Sequence, residues 1–161
     1  MNVRAHPKAG PTGLVLDAYL PYRLSVASNA VSGLIARAYE DRFGLTIPQW
    51  RVICVLAEDG ALAPTAIVLR TGMDKVTVSR AAQGLLRRRL VERTEHHADG
   101  RSHVLALSDA GDSLHAEVAP LALAYEAALI AGLAPDEVSL LKRLLGRLQT
   151  AANALAGDGA R

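Results

Sequence analysis

Aromatic residues are scarce in this chain: one Phe, one Trp and four Tyr among 161 residues. A core of packed rings is therefore excluded, and Leu, Ala and Val must fill it, a composition that favours helices. The single cysteine, Cys54, rules out an intrachain disulfide and a cysteine-based zinc cluster. Its neighbours Ile53 and Val55 supply no cation to activate the thiol, so a structural role is expected. Long apolar runs are missing as well. The longest weakly polar stretch, residues 118–134, is broken by Pro120 and Glu126, and no apolar segment near the start resembles a signal peptide, so a soluble cytoplasmic protein with no membrane partner is expected. There is no Gly-x-Ser-x-Gly elbow and no glycine-rich phosphate loop. Hydrolase and nucleotide-dependent chemistry thus find no residues to carry them, and neither an enzyme nor a cofactor is expected.

What the sequence does hold is a concentration of positive charge. Between Lys75 and His103 seven Lys and Arg stand against three carboxylates, a net of +4 in a chain whose total is only +2. This basic segment overlaps Pro64 to Arg89, around which the rest of the chain is organised. A short apolar helix, a Thr71-Gly72-Met73 turn and a second amphipathic helix follow one another there, in helix-turn-helix order. Asp74 is placed to cap the second helix. At about 100° per residue, Val78, Ala81, Ala82, Leu85 and Leu86 share one side and pack inward. The opposite side gathers Val76, Ser79, Arg80, Gln83 and Arg87, flanked by Lys75 and Thr77. Lys and Arg neutralise phosphates, Arg and Gln present paired donors to base edges, and Val76 suits a thymine methyl. Within the run Arg87-Arg88-Arg89, phosphate contact is the expected task, with plain solvation the alternative for Arg88.

Residues 90–97 read as a strand, Asp99-Gly100 as a two-residue turn and residues 102–107 as the returning strand, giving a hairpin wing. Here a family resemblance appears, on five pieces in order and spacing. They are Gly44-Leu45-Thr46-Ile47-Pro48-Gln49-Trp50, the run from Thr71 to Arg80, Leu90-Val91-Glu92-Arg93, Asp99-Gly100-Arg101 and Leu107-Ser108-Asp109-Ala110-Gly111. From about Leu20 to Leu148 the chain resembles the MarR (multiple antibiotic resistance regulator) family of bacterial transcriptional regulators. The resemblance implies a mainly α fold with a small β-hairpin wing, in which residues 45–107 form the winged helix-turn-helix and residues 14–44 and 108–156 supply dimerisation helices. It further implies a homodimer on a pseudo-palindromic operator in double-stranded DNA, with repression as the default sense. Arg101 would enter the flanking minor groove from the wing tip, oriented by Asp99.

Taken in order, residues 1–13 carry two prolines and two glycines without apolar periodicity and read as an arm. Pro21 to Phe43 reads as the first long helix, with Leu24, Ala27, Val31, Leu34 and Ala38 at helical spacing and Gly44 as terminator. Thr46-Ile47-Pro48-Gln49 has the pattern of a capping box, and Val52, Ile53, Val55 and Leu56 make the following helix core-facing up to Asp59-Gly60. Ser108 caps a helix from Asp109 to about Ala131, bent at Pro120 and stopped by Gly132. Pro135 opens the last helix, whose stripe is Val138, Leu141, Leu144, Leu145 and Leu148, and residues 157–161 form a frayed tail. Two apolar stripes on one small chain ask for a partner copy.

Regulators of this family commonly bind small anionic or aromatic molecules. The polar and aromatic residues available here are Tyr22, Arg23, Ser28, Tyr39, Trp50, Arg51 and His115. Arg23 or Arg51 would clamp a carboxylate, and Tyr22 and Trp50 offer aromatic surface, so an aromatic acid or its coenzyme A thioester is the expected effector. Two rival readings exist. A metal- or redox-responsive regulator would use His96, His97, Asp99 and His103 or Cys54, but adjacent strand residues point to opposite faces and no metal site is expected. A winged helix used only for protein contacts would carry an acidic or apolar outer face on its second helix, unlike the residues from Asp74 to Arg89.

Overall fold

The computed structural model describes residues 13–95 and 103–158. A 3-10 turn at Leu16–Ala18 leads into α1 (Leu20–Phe43), α2 (Ile47–Asp59), α3 (Pro64–Thr71) and α4 (Lys75–Arg87). The strands β1 (Val91–Glu95) and β2 (His103–Leu107) follow, then α5 (Asp109–Ile130) and α6 (Pro135–Asp158). The 1–12 portion of the arm, the Asp99-Gly100 turn, Arg101, and the histidines His96 and His97 lie outside the described residues. The chain divides into two compact units, Met1–Val118 and Ala119–Arg161.

Helix ends in the first unit are set by local chemistry. Gly44, at φ 59°, closes α1 in the left-handed region, and its N–H donates to the Glu40 carbonyl at 2.9 Å. Thr46 and Gln49 then form the reciprocal capping box at α2: the Thr46 N–H donates to Gln49 Oε1 at 3.0 Å and the Gln49 N–H to Thr46 Oγ1 at 3.4 Å. Gly72, at φ 67°, turns the chain between α3 and α4. The core is aliphatic, as the scarcity of rings requires: Val52, Ile53, Val55 and Leu56 of α2 pack with Ile67 of α3 and Val78, Ala81, Ala82 and Leu85 of α4. Leu86, expected inside with them, is only half-buried.

The hairpin is antiparallel, with Val91 opposite Leu107 and Glu95 opposite His103. A third segment joins it. Leu62, in the α2–α3 connection, exchanges backbone hydrogen bonds of 2.9 and 2.8 Å with Leu105, tying the wing's base to the helix-turn-helix. Arg70 of α3 reinforces the connection through two bonds to the Asp59 carboxylate, at 2.6 and 3.1 Å, and a 3.2 Å ion pair with Glu58. Because these groups are solvent-exposed, the cluster orders the turn more than it stabilises the fold.

In the second unit, the rest of α5 and α6 are joined by a short turn closed by the Leu133 N–H on the Ile130 carbonyl at 2.9 Å. Glu137 caps α6 from its third position, accepting from the Ala134 N–H at 2.8 Å, and Lys142 pairs with Glu126 at 3.2 Å. α6 continues through Asp158, so Gly157 of the expected tail is helical, and residues 159–161 lie outside the described residues. Pro120 lies inside α5 without ending it. No single helix among the described residues is long and apolar enough to cross a membrane.

Candidate nucleic-acid interface

The outward face of α4 is built from its N-cap. Asp74 accepts from the Thr77 N–H at 2.9 Å and from the Thr77 hydroxyl at 2.6 Å. These bonds, the hydroxyl's foremost, hold the Asp74 carboxyl below its ordinary value, so it stays charged at the positive end of the helix. Thr77 is thereby committed to the cap and only half-exposed, while Lys75, Val76, Ser79, Arg80, Gln83 and Arg87 all face solvent. Val76, 58% exposed, is an unusual residue to leave in water on a helix whose other side buries four aliphatic residues. Gln83 Nε2 donates to Ser79 Oγ at 3.5 Å, one turn away, which links the two polar side chains on the outer face. Arg101 and Asp99 lie outside the described residues.

The arginine run at the end of α4 does not act as one unit. All three are exposed, but Arg88 turns back to α1, donating to the Gly44 carbonyl at 2.9 Å and the Phe43 carbonyl at 2.8 Å. Neither phosphate contact nor plain solvation describes this placement of Arg88: the unpaired carbonyls at the C-terminus of α1 hold its guanidinium. Arg89 has φ 57°, the left-handed position that usually takes glycine. Its N–H reaches the Leu86 carbonyl and the Leu90 N–H the Leu85 carbonyl, each at 3.0 Å, a Schellman closure that launches β1. Ser108 completes the corner. Its hydroxyl donates to the Arg89 carbonyl at 2.7 Å and accepts from the Gly111 N–H at 3.1 Å, so the expected cap of α5 also ties that helix to α4.

The candidate effector residues separate into two groups. Trp50 and His115 stack with ring centroids 5.6 Å apart, and Tyr39, buried beneath, meets Trp50 at 5.3 Å. These three join α1, α2 and α5; Arg51, the next residue of α2, is exposed. Tyr22, Arg23 and Ser28 are exposed farther along α1; at 1.5 Å per residue they stand about 16 to 26 Å from Tyr39. One chain therefore does not bring the whole set into one site. Cys54 is partly buried, and that burial, reinforced by Glu58, pushes its thiol up to about 11. No cluster of three or more metal-ligating side chains occurs among the described residues.

A concavity that the periodicity of the sequence did not reveal lies between α3, α4 and the hairpin. Its volume is about 760 Å³, and Val68, Ser79, Gln83, Arg93, His103 and Leu105 contribute to its walls. Only the strand register and the Leu62–Leu105 pairing bring Arg93 and His103 across from α4.

A capped, cation-bearing helix following a tight turn and backed by a three-segment hairpin defines a winged helix-turn-helix protein. Sequence comparison makes the class specific. The sequence model of the MarR family matches residues 43–102, which span the capping box, α2 to α4 and β1 but stop short of β2. The chain is 25% identical over 133 residues to the HTH-type transcriptional regulator MgrA of Staphylococcus aureus, covering 83% of this chain and 89% of MgrA. Among solved structures, a MarR/EmrR family transcriptional regulator from Acinetobacter sp. ADP1 superposes with a TM-score of 0.82 at 24% identity, over 88% of this chain and 99% of that one. Bordetella bronchiseptica BpsR, whose DNA binding is regulated by 6-hydroxynicotinic acid, superposes with a TM-score of 0.78 at 26% identity, over 87% and 98%. Residues 43–102 thus match the MarR family, and the chain as a whole is similar to MarR-family winged-helix transcriptional regulators.

Proposed function

We propose that the protein works as a two-fold homodimer that represses transcription by placing two α4 helices in adjacent major grooves of a pseudo-palindromic operator, and that an aromatic acid or its thioester releases it. The observation that carries the reading is the outer face of α4, where Lys75, Ser79, Arg80, Gln83 and Arg87 are exposed together around Val76. Lys75 and Arg87 serve phosphates, Ser79, Arg80 and Gln83 read base edges, and Arg101 reads minor-groove width from the wing. Dimerisation is supported by the apolar rows that a single chain leaves in water: Leu141, Leu144, Leu145 and Leu148 of α6 are 39 to 46% exposed, and Leu24 and Leu34 of α1 are 37 and 40% exposed. Burying a leucine fully is worth about 1.5–3 kcal/mol, so such rows favour a second copy.

BpsR responds to an aromatic acid, which supports the effector class. The Trp50–His115 stack is one candidate place for it. The cavity beside α4 supports a second reading, in which the effector meets Ser79 and Gln83 directly and competes with DNA for them. Footprinting of the purified protein on its own upstream DNA, with sedimentation of the free protein, tests the proposal. Protection of an inverted repeat by a dimer, relieved by aromatic acids, is expected; a monomer that protects no repeat refutes it.

A further inference from the structure

We propose that Arg88 is the positioning residue that fixes the angle of α4 against α1, and thereby the half-site spacing that two copies of α4 accept. The inference rests on the paired reading of DNA in the preceding subsection. Arg88 stands between two exposed arginines, yet its guanidinium spans two successive carbonyls at 2.8 and 2.9 Å, in residues 45 and 44 positions away. A planar fork suits that pair; an ammonium on a flexible stem does not hold two acceptors in one fixed plane. On the other side of the same corner, Ser108 binds the Arg89 carbonyl at 2.7 Å and its own N–H donates to the Leu90 carbonyl at 3.2 Å. The end of α4 is thus bracketed between the end of α1 and the start of α5.

Leverage makes the bracket consequential. From Arg88 to Lys75, thirteen residues at 1.5 Å each place the reading end about 19 Å from the joint. A tilt of about 10° there moves Lys75 and its neighbours by about 3 Å, close to the rise of one base pair, about 3.4 Å. Loss of two exposed hydrogen bonds leaves the aliphatic core of the unit intact, so the expected change lies in geometry and not in folding.

The test uses the full chain and inverted-repeat duplexes selected in vitro by the unsubstituted protein, with one base pair inserted or deleted at the centre. The unsubstituted protein is expected to lose about tenfold in affinity at either altered spacing. Arg88→Ala should bind all three spacings within about threefold of one another, with Arg88→Lys between the two and the melting temperature nearly unchanged. An Arg88→Ala protein that weakens uniformly while keeping the original spacing ratio overturns the inference and leaves the paired reading intact. An unsubstituted protein indifferent to spacing overturns both. Should Arg88→Ala fail to fold, Arg88→Lys decides, and a ratio equal to that of the unsubstituted protein rejects the proposal.

Discussion

Gly111→Ala places one methyl group where α5 crosses the end of α4. A Cβ at Gly111 would overlap the Leu90 carbonyl oxygen, with the Leu90 carbonyl carbon at 3.1 Å and Leu107 Cδ2 at 3.2 Å. The first neighbour is backbone and cannot rotate away, so α5 must shift. That shift disturbs the Ser108 N–H bond to the Leu90 carbonyl and the Gly111 N–H bond to Ser108 Oγ. Overpacking costs about 1–3 kcal/mol, and each strained bond adds about 0.5–1.5 kcal/mol. Alanine's helix propensity returns about 1 kcal/mol. The net expectation is a loss of about 1–5 kcal/mol, read as a lower urea midpoint at unchanged slope and fixed protein concentration. A midpoint equal to or above that of the unsubstituted protein would show that the corner is not tight and refute the reasoning. Because the same corner holds α4, the surviving folded fraction should also bind DNA less well.

In a binding assay on a panel of operator variants, Ser79→Ala and Arg80→Ala should change the preferred sequence, while Arg101→Ala should weaken all variants alike; identical behaviour of the three would contradict the assignment of readers and wing. The Asp74 carboxyl is held below its ordinary value of 3.8, so its contribution to stability is complete above that value and disappears as the pH falls through the lower folded one. Asp74→Asn, which keeps an acceptor for the Thr77 N–H but does not titrate, should flatten the acid limb of the urea midpoint against pH, and an unchanged limb would argue against the cap. Cys54, with its thiol pushed up to about 11, should react with a disulfide reagent far more slowly in the native protein at neutral pH than after unfolding. Equal rates would mean the thiol is open and activated.

Much of the fold was legible because short-range rules govern it. Gly44, Thr46 with Gln49, Gly72, Asp74 and Ser108 each set a helix end through bonds to residues within five positions, and such bonds depend on residue type and spacing alone. The inward face of α4 followed from periodicity for the same reason. Gly157 lies within α6 because a lone glycine near a helix end is a weak stop when strong helix formers precede it. The candidate effector set was not resolved from sequence, since helical spacing gives the face of a residue but not which distant residue it meets.

Residue type and order by themselves determined that the chain would be helical, aliphatic in its core and basic along one capped helix with a hairpin after it. Only the tertiary structure decided that Arg88 leaves the basic run for the carbonyls of α1, that Gly111 lies against Leu90, that His115 stacks on Trp50, and that a cavity opens between Ser79 and Arg93. The physical reason is the same in each case. These contacts join residues 14 to 65 positions apart. Their energies depend on how whole helices are set against one another, which no local pattern of side chains encodes.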